Sequence, residues 1–162
     1  MTASVPAESN HGVQPRAAKA GFPRSGRLLR HADFERVYQQ GRRHFSASMT
    51  VFYLPRLEWA LGKAAEVKGL RIGFTVGRAL GGAVQRNRMK RRLREAVRLN
   101  RPWPGAAVDV VINPKKAVLR ADFDTLLNEV RQAFVAIEKK LAGKEQLSAA
   151  DKRASGSRKS EA

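Results

Sequence analysis

The stretch Arg71-Ile72-Gly73-Phe74-Thr75-Val76, a glycine-rich turn over 77–82, and the run Ala83-Val84-Gln85-Arg86-Asn87-Arg88-Met89-Lys90-Arg91-Arg92-Leu93-Arg94-Glu95-Ala96-Val97-Arg98-Leu99 decide the fold. The first six residues read as a strand. After the turn the period changes: at about 100° per residue, Met89, Leu93, Ala96 and Val97 gather on one side of a helix and can pack on a sheet. Asn87, Lys90, Arg91, Arg94 and Arg98 gather on a second side as a cationic stripe, and Arg88, Arg92 and Glu95 fill the remainder. Like charges one helical turn apart repel, so the stripe predicts an anion lying along it. Guanidinium forks match phosphate oxygens two at a time, and the Asn87 amide can both donate and accept, which suits a 2′-hydroxyl or a base edge. A merely solvated basic face is the competing reading on composition alone.

The turn is less informative. Gly77, Gly81 and Gly82 spell neither a dinucleotide fingerprint nor a P-loop. They do bring Arg78 close to the helix start, where free N–H groups already favour phosphate.

Working outward, His31-Ala32-Asp33-Phe34-Glu35-Arg36-Val37-Tyr38-Gln39-Gln40 predicts a helix with Phe34, Val37 and Tyr38 on one face and Gly41 as its stop. The segment 44–54 predicts two short strands or one bent one, ended by Pro55. A long surface connection with Trp59 is expected over 57–69. Pro102 and Pro104 prevent the basic helix from continuing. Ala107-Val108-Asp109-Val110-Val111-Ile112 predicts a buried strand closed by Asn113-Pro114. The last helix carries one apolar stripe, Phe123, Leu126, Leu127, Val130, Phe134, Ile137 and Leu141, with Lys139 and Lys140 at its end. The order α-β-β-β-α-β-α implies an α+β sandwich: a four-stranded mixed sheet with helices packed on it. The folded domain is expected over 26–142, between a flexible basic arm over 1–25 and a flexible polar and basic tail over 143–162, both too polar to offset the entropy of ordering.

Composition narrows the function. The 162 residues hold 32 Lys and Arg against 14 Asp and Glu, a net charge of +18, which calls for a polyanionic partner. The absence of cysteine excludes disulfides, thiolate catalysis and cysteine-built zinc sites. His11, His31 and His44 form no metal-ligand pattern, and no catalytic constellation stands out. No apolar run approaches the roughly 20 residues that cross a bilayer, and the first residues lack a secretory signal. A cytoplasmic nucleic-acid binder without membrane contact is expected. A non-enzymatic RNA-binding module shares these features; a DNA-binding helix lacks the accompanying dimer or helix-turn-helix pattern.

The Arg-Asn-Arg-x-Lys-Arg-x-x-Arg run of 86–94, after Arg71–Val76 and the glycine-rich turn, resembles the RNR motif of the bacterial ribonuclease P protein component. The similarity extends upstream to Asp33-Phe34, Val37-Tyr38 and Gly41 and downstream to the last strand and helix, over about 26–141. The resemblance implies a small α+β fold in which the basic helix joins two parallel strands by a left-handed crossover. It implies a monomeric protein in a 1:1 complex with a catalytic RNA subunit, the holoenzyme removing the 5′ leader of precursor tRNA. Chemistry then belongs to RNA and to Mg²⁺ held mainly by RNA, with neither catalytic nor metal-binding side chains on the protein. Arg86, Asn87, Arg88, Lys90, Arg91 and Arg94 are implied to contact the RNA subunit, with Arg78 and Arg98 as auxiliary phosphate contacts. Phe34, Tyr38 and Phe52 are implied to line a cleft for the single-stranded leader, where aromatic faces tolerate any base; as a residue alone Phe34 could equally be core, whereas Tyr38, with a hydroxyl to keep wet, leans toward the cleft. Many family members carry two adjacent lysines where this chain has Arg78-Ala79, so Ala79 is assigned no contact. The Trp59 connection is longer than the family's usual link.

Overall fold

The computed structural model describes residues 24–56, 69–100 and 107–156. The Trp59 connection, Pro102, Pro104 and most of the expected arm lie outside these residues. Of that arm, Arg24 and Ser25 are described, and with Gly26 they form a single 3-10 turn.

Helix α1 (His31–Gln40) is followed by a hairpin of β1 (Arg42–Phe45) and β2 (Met49–Pro55). Next come β3 (Leu70–Phe74), helix α2 (Ala83–Leu99), β4 (Val108–Pro114), the single turn α3 (Ala117–Arg120) and the long helix α4 (Phe123–Gly156). The sheet order is β1-β2-β4-β3, with β1–β2 and β2–β4 antiparallel and β3–β4 parallel. Helix α2 is therefore the connection between the two parallel strands, and the expected α+β architecture stands.

Strand β4 is interior to the sheet and covered on both faces, which explains its β-branched run without strict alternation. On one face Met49, Val51, Tyr53, Ile72, Val110 and Ile112 meet Met89, Leu93, Ala96 and Val97 of α2 and the stripe of α4 from Leu126 to Ile137. At roughly 1.5–3 kcal/mol for each large apolar side chain taken from water, this layer dominates the favourable terms. On the other face a smaller cluster forms from Leu28, Val37, Leu54 and Val111, with Phe34, Tyr38 and Phe52 half-buried against it.

Several boundaries differ from the expectation. The hairpin resolves 44–54 into two strands, with β1 starting at Arg42. Its turn is held from outside: Ser46 Oγ and the Ser48 N–H donate to Glu129 Oε2 at 2.9 and 3.0 Å, and Ser48 Oγ donates to Oε1 at 2.9 Å. Gly41 ends α1 because space is lacking: a Cβ there would sit 2.2 Å from the Val37 carbonyl oxygen. The turn α3 has no counterpart in the expected order. The last helix, expected to give way to a flexible tail from residue 143, continues to Gly156. Polar helix formers such as Lys144 and Gln146 carry it on after the apolar stripe ends at Leu141.

Candidate nucleic-acid interface

Helix α2 separates its faces as the periodicity requires. Met89, Leu93, Ala96 and Val97 are fully buried, whereas Asn87, Arg88, Arg91 and Arg94 are exposed and Lys90 is half-exposed. The preceding turn needs its glycine: Gly81 has φ +140°, and a Cβ there would strike the Gln85 side chain. Arg78 is exposed in the 3-10 turn Arg78–Leu80, just before the helix start.

The six cationic or amide residues assigned to RNA do not share one face. Asn87, Lys90, Arg91 and Arg94 form a continuous exposed side. Arg88 lies about 100° round from its centre, toward Arg92. Arg86 borders the apolar side and is partly shielded; its Nε is buried with no hydrogen-bond partner among the described residues.

Two arginines of the helix do have protein partners. Arg92 Nη1 donates to the Val118 carbonyl at 2.6 Å, and Nη2 to that of Ala121, so this side chain satisfies carbonyls at the end of α3. Arg98, expected as an auxiliary phosphate contact, donates through Nε to Glu95 Oε2 at 2.9 Å. That hydrogen bond lowers the Glu95 carboxyl below its ordinary range and raises the Arg98 guanidinium. The pair is exposed to solvent, where an ion pair is worth little and exchanges readily.

Phe34, Tyr38 and Phe52 are brought together on the α1 side of the sheet. The rings of Tyr38 and Phe52 meet edge to face, with centroids 4.8 Å apart. Arg43, opposite Phe52 in the β1–β2 register, holds its guanidinium carbon 5.3 Å from that ring's centroid. Phe34 lies over β3, where Gly73 provides the room: a Cβ there would be 2.4 Å from the Phe34 ring. The Tyr38 hydroxyl lies 2.7 Å from Asn113 Oδ1 and 2.8 Å from Thr75 Oγ1. Having one proton, it donates to Asn113 and accepts from Thr75. The hydroxyl, expected to stay wet, also fixes the ring across the ends of β3 and β4, and its contact with Thr75 is exposed.

Beneath the start of α1 lies a charge network that sequence reasoning missed. Asp109 is buried in mid-strand and receives Arg71 bidentately, Nε to Oδ1 and Nη2 to Oδ2, each at 2.7 Å. The fully buried Arg56 donates to the same carboxylate, Nη1 to Oδ1, at 2.6 Å, and also to the carbonyls of Val108 and Gly69. Arg71 reaches on to Asp33 of α1 at 3.7 Å, and Asp33 also meets Arg36 at 3.2 Å. The hydrogen bond to Asp109 is the main reason the Arg71 guanidinium is held above its ordinary range. One signal was available: an aspartate amid Val108, Val110, Val111 and Ile112 is too costly to bury without cations. Its partners were not readable, because Arg71 is 38 residues away and Arg56 is 53.

Among the described residues no group of three or more metal-ligating side chains gathers, and no helix is long and apolar enough to cross a membrane. His31 meets Glu35 at 3.6 Å on the exposed side of α1. A family model described as Ribonuclease P matches residues 22–138. The chain belongs to the ribonuclease P protein family.

The ribonuclease P protein component of Chloroflexus aggregans is 40% identical over 108 residues, covering 66% of this chain and 73% of that protein. That of Citrifermentans bemidjiense is 37% identical over 123 residues, covering 76% of this chain and 97% of its own length. The solved RNase P protein of Staphylococcus aureus shares the fold, with a TM-score of 0.57 at 22% identity over 69% of this chain and 94% of that one. The ribonuclease P match takes in the sheet, α2 and the apolar stripe of α4 as far as residue 138; the continuation of α4 to Gly156 lies beyond it.

Proposed function

We propose that this chain is the protein subunit of a ribonuclease P ribonucleoprotein, binding the catalytic RNA and the 5′ leader of precursor tRNA and so assisting removal of the leader. The observation that carries this reading is the pairing of two surfaces on one small domain of this family. One is an exposed cationic side of α2; the other is an aromatic cleft under α1.

The α2 side provides charge without competition. Lys90, Arg91 and Arg94 have no acidic partner among the described residues, so each can neutralise a phosphate and release its counterion. Asn87 adds an uncharged donor and acceptor in the same row. The cleft supplies what an unpaired strand needs: Tyr38 and Phe52 are fixed in orientation before any base arrives, which lowers the ordering cost of stacking. Each stacked base is worth about 1–3 kcal/mol and requires no particular sequence.

In this proposal the bond-breaking chemistry and its Mg²⁺ belong to the RNA. Among the described residues no group of three or more metal-ligating side chains gathers, and the buried Asp109 is already neutralised by Arg56 and Arg71. The protein acts as one copy per RNA in the cytoplasm, with no membrane contact.

The test is rescue of leader cleavage. Full-length protein added to bacterial ribonuclease P RNA at low Mg²⁺ is expected to restore 5′ processing of precursor tRNA that the RNA alone performs poorly. Cleavage no faster than with RNA alone would overturn the reading.

A further inference from the structure

Of the ten residues of α1, only Asp33 and Val37 are buried. They lie one helical turn apart, so the row where a helix normally presents apolar side chains to its core holds one valine and one carboxylate. An acid in the first turn suits the helix dipole without being buried. Asp33 does something else: among the described residues no backbone N–H donates to its carboxylate, whose partners are the guanidinium groups of Arg36 at 3.2 Å and Arg71 at 3.7 Å. Arg36 belongs to α1 and moves with it. Arg71 belongs to β3, so its contact with Asp33 locates the helix on the sheet. The two side chains are only 12% and 18% exposed, and salt screens them less than a surface pair.

Arg71 is not free to follow Asp33. Its Nε and Nη2 are held on the two oxygens of Asp109, its register partner on β4, and Nη1 is the nitrogen that faces α1. The cation is thus mounted on the parallel pair β3–β4. The other end of α1 is located on the same pair: the Tyr38 hydroxyl lies 2.7 Å from Asn113 of β4 and 2.8 Å from Thr75, which follows β3.

Between these two points Val37 joins a small apolar cluster with Leu54 and Val111. Apolar contact is non-directional and lets a helix slide or turn. The polar contacts at the two ends decide where α1 stops. Both bear on the strands that α2 connects, so the rings of Phe34 and Tyr38 are set relative to α2 as well as to the sheet.

We propose that Asp33 is a positioning residue: through Arg71 it fixes α1 on the β3–β4 pair and so holds Phe34 and Tyr38 where an unpaired strand can stack on them. It acts through another side chain and contacts no RNA. The inference rests on the leader-binding reading above and adds to it the element that sets the geometry of the cleft. Charge makes the role separable, because a carboxylate beside the path of a polyanion repels it. On charge alone, removing Asp33 strengthens RNA binding; a positioning role gives the opposite sign.

The test uses full-length protein assembled with bacterial ribonuclease P RNA, and compares binding of precursor tRNA bearing a single-stranded leader with binding of mature tRNA. Wild-type protein is expected to favour the leader-bearing form. Asp33→Asn keeps the shape and leaves the Arg71–Asp109 pair intact. It is expected to reduce that preference about three- to tenfold, part of what stacking one base contributes. Affinity for mature tRNA and for the RNA subunit should stay unchanged, with a melting temperature close to wild type. Asp33→Glu, which keeps the charge, should retain most of the preference. If Asp33→Asn unfolds at the assay temperature, Asp33→Ser takes its place with the same expectation. An unchanged or greater preference in the variant would overturn the proposal, as would equal losses for both tRNAs, which a general loosening of the fold produces. Wild-type protein with no preference for the leader would remove the leader reading itself. A wild-type preference that survives the loss of Asp33 would remove only the positioning role.

Discussion

On the α1 side of the sheet, Arg56 and Arg71 converge on the buried carboxylate of Asp109, and Arg71 reaches on to Asp33. Along α2, Lys90, Arg91 and Arg94 stand in or near solvent with no acid to meet them among the described residues. The side chains are chemically alike, and their surroundings give them opposite tasks. A guanidinium taken out of water needs a full set of partners inside the protein, and once it has them it is committed to the fold. A solvated guanidinium contributes little to folding and keeps its donors for a ligand. Arg92 lies on the same helix as the stripe yet belongs with the committed group, through the carbonyls of α3, whereas Arg98 shares only an exposed pair with Glu95 that exchanges readily. Membership in an arginine-rich motif thus does not assign a residue to RNA; the partner within reach does.

The contrast breaks most visibly at Asp109. Asp109→Asn keeps the shape but removes the charge that two arginines share. Breaking one side of a buried pair typically costs about 3–5 kcal/mol, and that loss is expected in the free energy of denaturant unfolding. A change below about 1 kcal/mol would mean that water already solvates Arg56 and Arg71, and the buried network would lose its meaning. The same variant should loosen the seating of α1, because Asp33 meets Arg71 only while Asp109 holds it in place.

The opposite pattern is expected on α2. Arg91→Ala combined with Arg94→Ala should leave stability within about 0.5 kcal/mol, as for surface changes away from packing. Affinity for the RNA subunit should fall, and the dependence of log affinity on log salt should become shallower by about 0.7–0.9 for each phosphate that the variant no longer neutralises. Arg91 and Arg94 suit this test better than Arg86, whose partial shielding mixes packing with binding. An unchanged salt slope would move phosphate binding off this face.

How much of this was legible in the sequence follows from the range of the interactions. Helix α2 is readable to its ends, and its four buried residues follow from periodicity, because i to i+4 spacing is local. The aromatic grouping of Phe34, Tyr38 and Phe52 comes from family resemblance; the residues alone leave Phe34 undecided between core and cleft, and only the Tyr38 hydroxyl leans toward the cleft. The structure brings the three together, yet ties the Tyr38 hydroxyl to Asn113, 75 residues away, which no local pattern encodes. The Asp109 network is the clearest omission: its members come from α1, the residue after β2, β3 and β4, and meet only after the sheet is paired. The length of α4 escapes the sequence for another reason. The apolar stripe marks where a helix packs, and it ends at Leu141, but helix formers carry the backbone further.

The smallest expected effect concerns a cation that meets another cation. His44 of β1 is half-buried, and both its burial and the nearby Lys140 of α4 push its pKa below the ordinary 6.5. Folding therefore favours the neutral imidazole, and the unfolded chain binds the proton more readily. The sign follows: above pH 7 the residue is neutral in both states and contributes no pH dependence. As pH falls through 6.5 toward the lower folded value, the unfolded state gains protons first and stability declines. In His44→Gln that component disappears, so the difference between the two stability curves should be flat above pH 7 and should change steadily below 6.5. Taking the difference removes the carboxylates, which titrate alike in both proteins. A difference curve of opposite slope would mean that His44 gains an anionic neighbour on folding and belongs with the paired cations around Asp109, not with the unpaired ones along α2.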